Sequence, residues 1–366
     1  MKKLDWYIMK KMLVSFFFCI LLFSVIGVVI DVSEKTDDFV KSGLSAGQII
    51  TKYYFGFVPR IAAMLFPLFV FIAVIFFTSK MAGRSEVIAI LASGTSFNRF
   101  LRPYIVGGLF LATILWFAQR YVVPRANEIF SDFQTNYIDK NSSYNPLVQK
   151  NTTNIYRRID SFTYAGVNFY DTASKTGSSF FMYRIKDNQA VYNLRAETFK
   201  WDTTKGLNKW VVENIVERRI DGMRESVSLS DRRVLDFNFK PFDLRIDEYA
   251  KDKLNTPALG RYINMQVETG AEGLNDLKVE YYKRDSTPFA VLILSLIGAV
   301  IGSRKVRGGS GMHLAIGITA AVTFVIFDRF STIFSTKGNF PPMLAAWVPN
   351  LIFLVVAFWM YKKAPK

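Results

Sequence analysis

The sequence predicts an α-helical membrane protein with six transmembrane helices, grouped three and three, and an all-β domain inserted between the two groups. Three observations carry that prediction. Of 366 residues, 51% are hydrophobic and 16% aromatic, more than a soluble chain of this length normally carries. The apolar residues fall in uncharged blocks of 17 to 24 residues, and about 20 are needed to cross a hydrocarbon core of roughly 30 Å. Between the third and fourth blocks, residues 124–285 contain no such run.

The six blocks are residues 12–30, 61–79, 103–119, 286–303, 308–327 and 338–361. Each satisfies its backbone internally as a helix, which the membrane interior demands. The first block reads as a retained helix and not as a cleaved leader. It exceeds a typical apolar leader core, and no small-residue cleavage site closes it before Asp31. Orientation follows the short-loop Lys and Arg residues. Residues 1–11, 80–102, 304–307 and 362–366 hold fourteen of them against two acids, Asp5 and Glu86. The opposite short loops, 31–57 and 334–337, hold four, with four acids. Both termini are therefore expected in the cytoplasm and residues 124–285 on the far side. That segment is nearly neutral, so most of the formal net charge of +16 is membrane-facing. It is an orientation signal and no footprint of nucleic-acid binding.

Within the far-side segment, residues 161–170, 179–185, 190–201, 209–218, 225–229 and 233–239 are rich in β-branched and aromatic residues. Turn signals at 176–178, 187–188, 203–206 and 221–222 separate them. Short strands at this spacing suggest an antiparallel sandwich, a jelly roll or a half-open barrel. Their inward aromatics form either a core or a groove for an apolar ligand. After Pro241 the period changes, and residues 256–267 read as an amphipathic helix with Leu259, Tyr262, Ile263 and Val267 on one face. A second helix over 272–282 leads into the fourth block. The expected organisation is residues 1–123 with three spans, 124–250 β domain, 251–285 linking helices and 286–366 with three further spans.

Few residues offer chemistry. Cys19 is the only cysteine and His313 the only histidine, which excludes an intramolecular disulfide, a multi-histidine metal site and a membrane-embedded triad. The RKVRGGSG stretch at 304–311 lacks the spacing of a phosphate-binding loop and reads as a flexible basic turn. Charges bordering the spans are more informative. Arg60 opens the second block, Arg120 closes the third and Asp328-Arg329 closes the fifth. They either snorkel to the interface, with Asp328 and Arg329 paired locally, or ring a cavity that meets an anionic amphiphile. Between the second and third blocks, Ser85 is placed to cap a short helix from Glu86 to Ala92 that Gly94 stops. Such a helix, about 85–94, suits an interfacial anchor or a lever that receives force from a separate ATPase.

Several stretches resemble the lipopolysaccharide-export permease family (LptF/LptG, YjgP/YjgQ-type). The RSEVIAILASGTSFNRFLRP run at 84–103 looks like the family's coupling-helix segment, including the Ser85-Glu86 pair and Gly94-x-Ser96. Pro67, the VVPRAN exit at 122–127, the PFA at 288–290, the RGGSG at 307–311 and the PPMLAAWVPN at 341–350 are similar too. The resemblance implies one half of a heterodimeric or paralogous permease enclosing a lipid-sized cavity in the inner membrane. Its partners would be a paralogous permease subunit, a cytoplasmic ATPase dimer and a periplasmic bridge protein of similar β fold. Its cargo would be lipopolysaccharide, and its far-side insert a periplasmic jelly-roll-like domain. ATP would be used by the partner, with no cofactor, metal or catalytic residue in this chain. Glu86, with Arg84, Ser85 and Gly94, would form the ATPase-coupling element. The family's basic residues near the outer end of the first span correspond here to Lys35 and Lys41, which join Arg60 and Arg120 as lipid-binding candidates. The competing readings are a membrane-embedded enzyme acting on lipid-linked glycans, which would want paired carboxylates or a metal set, and a scaffold presenting the β domain to periplasmic partners.

Overall fold

The structure, a computed structural model, describes residues 3–138, 151–171, 174–186, 189–202, 209–237, 239–241, 244, 249–268, 270, 273–304 and 310–364. Two compact units emerge: Met1–Phe133 with Lys251–Leu259 and Asn275–Lys366, and Gln134–Ala250 with Gly260–Leu274.

The helical elements are α1 (Lys3–Lys41), α2 (Ala46–Ile49), α3 (Phe55–Gly83), α4 (Glu86–Ala92), α5 (Phe97–Phe117), α6 (Val123–Phe133), α7 (Ala250–Lys253), α8 (Thr256–Glu268), α9 (Leu274–Gly302), α10 (Ser310–Gly338) and α11 (Pro342–Lys362). π-Helical turns at Ile50–Tyr54 and Ala118–Val122 join α2 to α3 and α5 to α6 without a break. Six helical stretches among the described residues are long and apolar enough to cross a membrane, as composition predicts. The most apolar window of α9 is 72% buried, against 6% for α1 and 22% for α10, so α9 is central and the other two are peripheral. On α1 the buried stripe is Ile8, Met12, Phe16 and Cys19, at helical spacing. Val14, Phe18, Leu21, Val25 and Val29 face outward, a surface that hydrocarbon or another apolar helix accepts and water does not.

Helix approach is set by small residues, as in membrane bundles generally. A Cβ added to Gly56 at the start of α3 would lie 2.5 Å from the Ala126 carbonyl and 2.6 Å from the Phe130 nitrogen of α6. Backbone on both sides cannot swing away. Gly56→Ala is therefore expected to force the two helices apart at a cost of about 1–3 kcal/mol, read as a lower unfolding midpoint of the purified protein.

Helix boundaries differ from the sequence reading at several points. The fifth span does not stop before Asp328-Arg329, because α10 runs on to Gly338. Asp328 pairs there with Lys283 of α9 at 2.5 Å, so its charge does not end the helix. The expected helix over 272–282 and the fourth span are one helix, α9. The sixth span begins at Pro342 and not at 338, since Pro341 and Pro342 fit only a helix's first positions. Residues 305–309 of the basic turn lie outside the described residues.

The second unit carries a six-stranded antiparallel sheet: β1 (Asn151–Arg158), β2 (Thr163–Asp171), β3 (Thr176–Lys186), β4 (Gln189–Asp202), β5 (Lys209–Asp221) and β6 (Arg224–Leu235). The strands pair in chain order as a meander. The predicted turn at 176–178 lies inside β3. The chain turns at Ser174 and Lys175 instead, with Lys175 left-handed at φ 56°. The two predicted strands 225–229 and 233–239 are largely one strand, β6. The turn at 221–222 is present, with Gly222 left-handed between Asp221 and Arg224, whereas 187–188 and 203–206 lie outside the described residues. One sheet face is aromatic: Phe180 stacks on Phe199 at 4.6 Å, and Phe199 on Trp210 at 4.1 Å. Phe237, Phe239 and Leu244 pack against this row, and Trp210 Nε1 donates to the Phe239 carbonyl at 3.0 Å. The aromatics form a closed core here. Strand β6, by contrast, is exposed along all but its last residue and, among the described residues, pairs on one side only.

Candidate functional site

At one end of the helical unit, α4 projects between α3 and α5. Ser85 precedes it in a left-handed conformation at φ 60°, and Gly94 at φ +84° ends the turn after it. Ser85 thus redirects the chain, and its side chain makes no capping bond to the helix. Val87 is buried in the bundle core while Ile88 stays exposed, which fixes α4 by one face and leaves the other presented. Glu86 sits in the first turn, where a carboxylate complements the helix dipole. It accepts a hydrogen bond from the Tyr7 hydroxyl of α1 at 3.2 Å and lies 3.9 Å from Arg84. Below it Asp5, nearly fully buried, pairs with Arg99 of α5 at 2.6 Å. Arg84, Ser85, Glu86 and Gly94 flank or open α4; Tyr7, which the sequence reading passed over, is bonded to Glu86, while Asp5 and Arg99 are bonded to one another. The signal for Asp5 was present, since Asp5 and Glu86 are the only acids among those short basic segments. A shallow surface beside α4 is also bordered by Ser303, Arg304 and Lys363.

At the other end, Asp31 of α1 is buried and accepts hydrogen bonds from the Tyr53 and Tyr54 hydroxyls at 3.0 and 3.1 Å. Lys35, one turn on, lies 3.3 Å from the same carboxylate and also donates to Tyr53. Arg120 pairs with Asp285 at 2.7 Å and stacks over Trp116 at 4.0 Å, and the Trp116 indole donates to the same carboxylate. Arg60 stacks over Phe130 at 4.5 Å and lies 4.0 Å from Asp252. Lys41, the last residue of α1, is exposed. Three of the four candidate cations are thus engaged with carboxylates of their own chain, and an incoming phosphate has to compete for them.

Between α3, α6, α9, α10 and α11 lies a crevice of about 430 Å³, within the range of roughly 300–1,000 Å³ usual for ligand sites. Its lining combines charged Arg60, Asp252, Lys283, Asp328 and Arg329 with apolar Leu65, Leu68, Ala290, Leu294 and Phe324. Arg284, buried, reaches the Leu254 and Lys251 carbonyls, both at 2.8 Å. Burial pushes the Asp252 carboxyl above its ordinary range, opposed by Arg60, Lys251 and Arg284. Asp328 and Arg329, neighbours in sequence, do not pair with one another. Asp328 goes to Lys283, and among the described residues the Arg329 guanidinium meets the Met64 sulfur at 3.9 Å and no carboxylate.

The family model "Lipopolysaccharide export system permease LptF/LptG" matches residues 6–363. No curated protein matches the chain.

Proposed function

The chain belongs to the lipopolysaccharide export system permease LptF/LptG family, and we propose that it works as one membrane half of an ATP-driven exporter. In this reading it pairs with a paralogous half, draws lipopolysaccharide from the inner membrane and passes it through the β domain to a periplasmic bridge of similar fold. ATP is bound and hydrolysed by a cytoplasmic partner, and this chain contributes no cofactor or catalytic residue.

The observation that carries the reading is α4. It is fastened to the bundle through Val87 and tied to α1 by the Glu86–Tyr7 bond, yet keeps an exposed face. A push on that face therefore reaches α1, whose own apolar surface is uncovered. The uncovered faces of α1 and α10 support a second half and lipid chains as their neighbours. Transport then requires the open and closed arrangements to hold the lipid with different affinity, since equal binding shifts nothing. The exposed edge of β6 supports the hand-off, because a free strand edge is a template for pairing with another chain. A glycan-processing enzyme would want paired carboxylates free to act, and the aspartates lining the crevice are taken up with Arg60, Lys251 and Lys283.

Copurification tests the assignment: an ATPase partner retained with the chain is expected, and turnover of a lipid-linked glycan by the isolated chain would overturn it. Orientation has its own test. Met223, at the tip of the β5–β6 hairpin, is fully exposed, and the single natural cysteine, Cys19, is buried. Met223→Cys is expected to react with a membrane-impermeant maleimide added from the periplasmic side of intact cells. Labelling only after lysis would reverse the topology.

A further inference from the structure

The crevice holds buried polar atoms that find no partner among the described residues. Asn127 is 7% exposed; its Nδ2 donates to the Asp252 carbonyl at 3.0 Å, while its Oδ1 has no donor. The buried Oε1 of Gln119 is unpartnered as well. Both residues line the same cavity as Asp252 and Arg329. A buried acceptor without a donor costs about 1–3 kcal/mol, and two on one cavity are what a ligand rich in N–H groups would repair. Arg329 supplies the complementary half, a guanidinium on the same crevice with no carboxylate on it among the described residues. The lining also carries aliphatic and aromatic side chains, among them Leu65, Leu68, Leu294 and Phe324, which suits an acyl chain.

We propose that this crevice binds the head of a single lipid bearing an aminoethyl phosphodiester. Its ammonium is shared by Asn127, Gln119 and Asp252, its phosphate is met by Arg329, and its first acyl carbons lie on Leu65, Leu68 and Phe324. The ammonium satisfies both orphaned acceptors and sits beside the carboxylate whose ionisation burial opposes. A glycerol head can offer hydroxyl donors to those acceptors, but it carries no positive charge to set against Asp252 and brings the phosphate's negative charge beside it uncompensated. A choline head carries no N–H to donate. The site lies within one chain, so its occupancy can be read without the assembled exporter. Two sources supply this chemistry, the phosphatidylethanolamine of the bilayer and an exported lipid substituted with phosphoethanolamine.

The test is native mass spectrometry of the full chain released from nanodiscs that contain equal parts phosphatidylethanolamine, phosphatidylglycerol and phosphatidylcholine. Retention of phosphatidylethanolamine is expected about tenfold above either competitor, the difference one charge-assisted hydrogen bond makes. Asn127→Leu and Arg329→Gln are each expected to lower it several-fold, and Arg329→Lys to keep most of it. Should a variant fold poorly, photoactivatable phosphatidylethanolamine crosslinked to the natural sequence is expected to mark peptides of α3 and α10. Retention from nanodiscs free of lipopolysaccharide assigns the bilayer source, whereas retention only of phosphoethanolamine-bearing lipopolysaccharide assigns the exported lipid. Equal retention of phosphatidylglycerol or phosphatidylcholine, retention unchanged in both Asn127→Leu and Arg329→Gln, or crosslinks confined to the outward face of α1 would each overturn the proposal.

Discussion

Glu86→Lys is expected to abolish export while the protein still accumulates, folded, in the membrane. The physical case is a comparison of magnitudes. Glu86 is partly exposed and its ion pair with Arg84 is long, at 3.9 Å; pairs of that kind are worth about 0–1 kcal/mol. Reversing the charge in the first turn of α4 forfeits roughly another 0.3–1 kcal/mol of dipole interaction. A membrane bundle with this much buried apolar surface does not unfold for such a sum. A docking surface is more sensitive, because a charge placed against a complementary partner costs several kcal/mol when its sign is wrong. The measurement is lipopolysaccharide delivery in cells that depend on the variant, read beside its membrane level and the ATPase rate of the purified complex. Tyr7→Phe makes a useful companion. It removes one hydrogen bond from Glu86 and nothing from the outer face of α4, so partner binding should persist while hydrolysis and export fall out of step. Normal export by Glu86→Lys at a normal level would remove α4 from the coupling role.

The contrast between what was legible in the sequence and what was not has a physical source. A membrane span declares itself because hydrocarbon tolerates no interruption, so each of the six blocks is continuous in sequence. Strand texture is weaker. Strand β1, with sequence NTTNIYRR, has Ile155 as its one aliphatic residue and joins the sheet through its pairing with β2. The extension of α10 past Asp328 was hidden for a related reason: the charge that should have ended the helix is neutralised by Lys283, 45 residues away. Two of the boundary cations follow the same rule. Arg60 and Arg120 are visible as basic residues near span ends, but their partners Asp252 and Asp285 reach them only in the fold, whereas the Lys35–Asp31 pair, one helical turn apart, is local. Local periodicity reveals which residues are buried or charged, and the pairing of charges far apart in the chain is a tertiary fact.

The β domain gives the second large effect. Trp210 is fully buried, stacked on Phe199, edge-on to Tyr170, and hydrogen-bonded to the Phe239 carbonyl. Trp210→Ala is expected to cost about 3–5 kcal/mol, a large share of the roughly 5–15 kcal/mol that holds an ordinary domain, and so to leave the sheet largely unfolded and export lost. Trp210→Phe separates two roles. It keeps an aromatic ring in the stack but removes the N–H donor, leaving the buried Phe239 carbonyl without its partner at about 1–3 kcal/mol. Phe237 and Phe239 cover the face on which acyl chains would lie if lipid passes along this sheet, and both cannot occupy it at once. Weakening their hold should therefore favour the uncovered face. In hydrogen exchange on the full chain, Trp210→Phe is expected to lose protection around Phe239 first while β3 and β4 stay protected. Lipid photocrosslinking to probes at Phe180 or Phe199 is expected to rise in the same variant. A fall in crosslinking with the sheet still intact would mean that lipid takes another path and that the aromatic row serves only as a core.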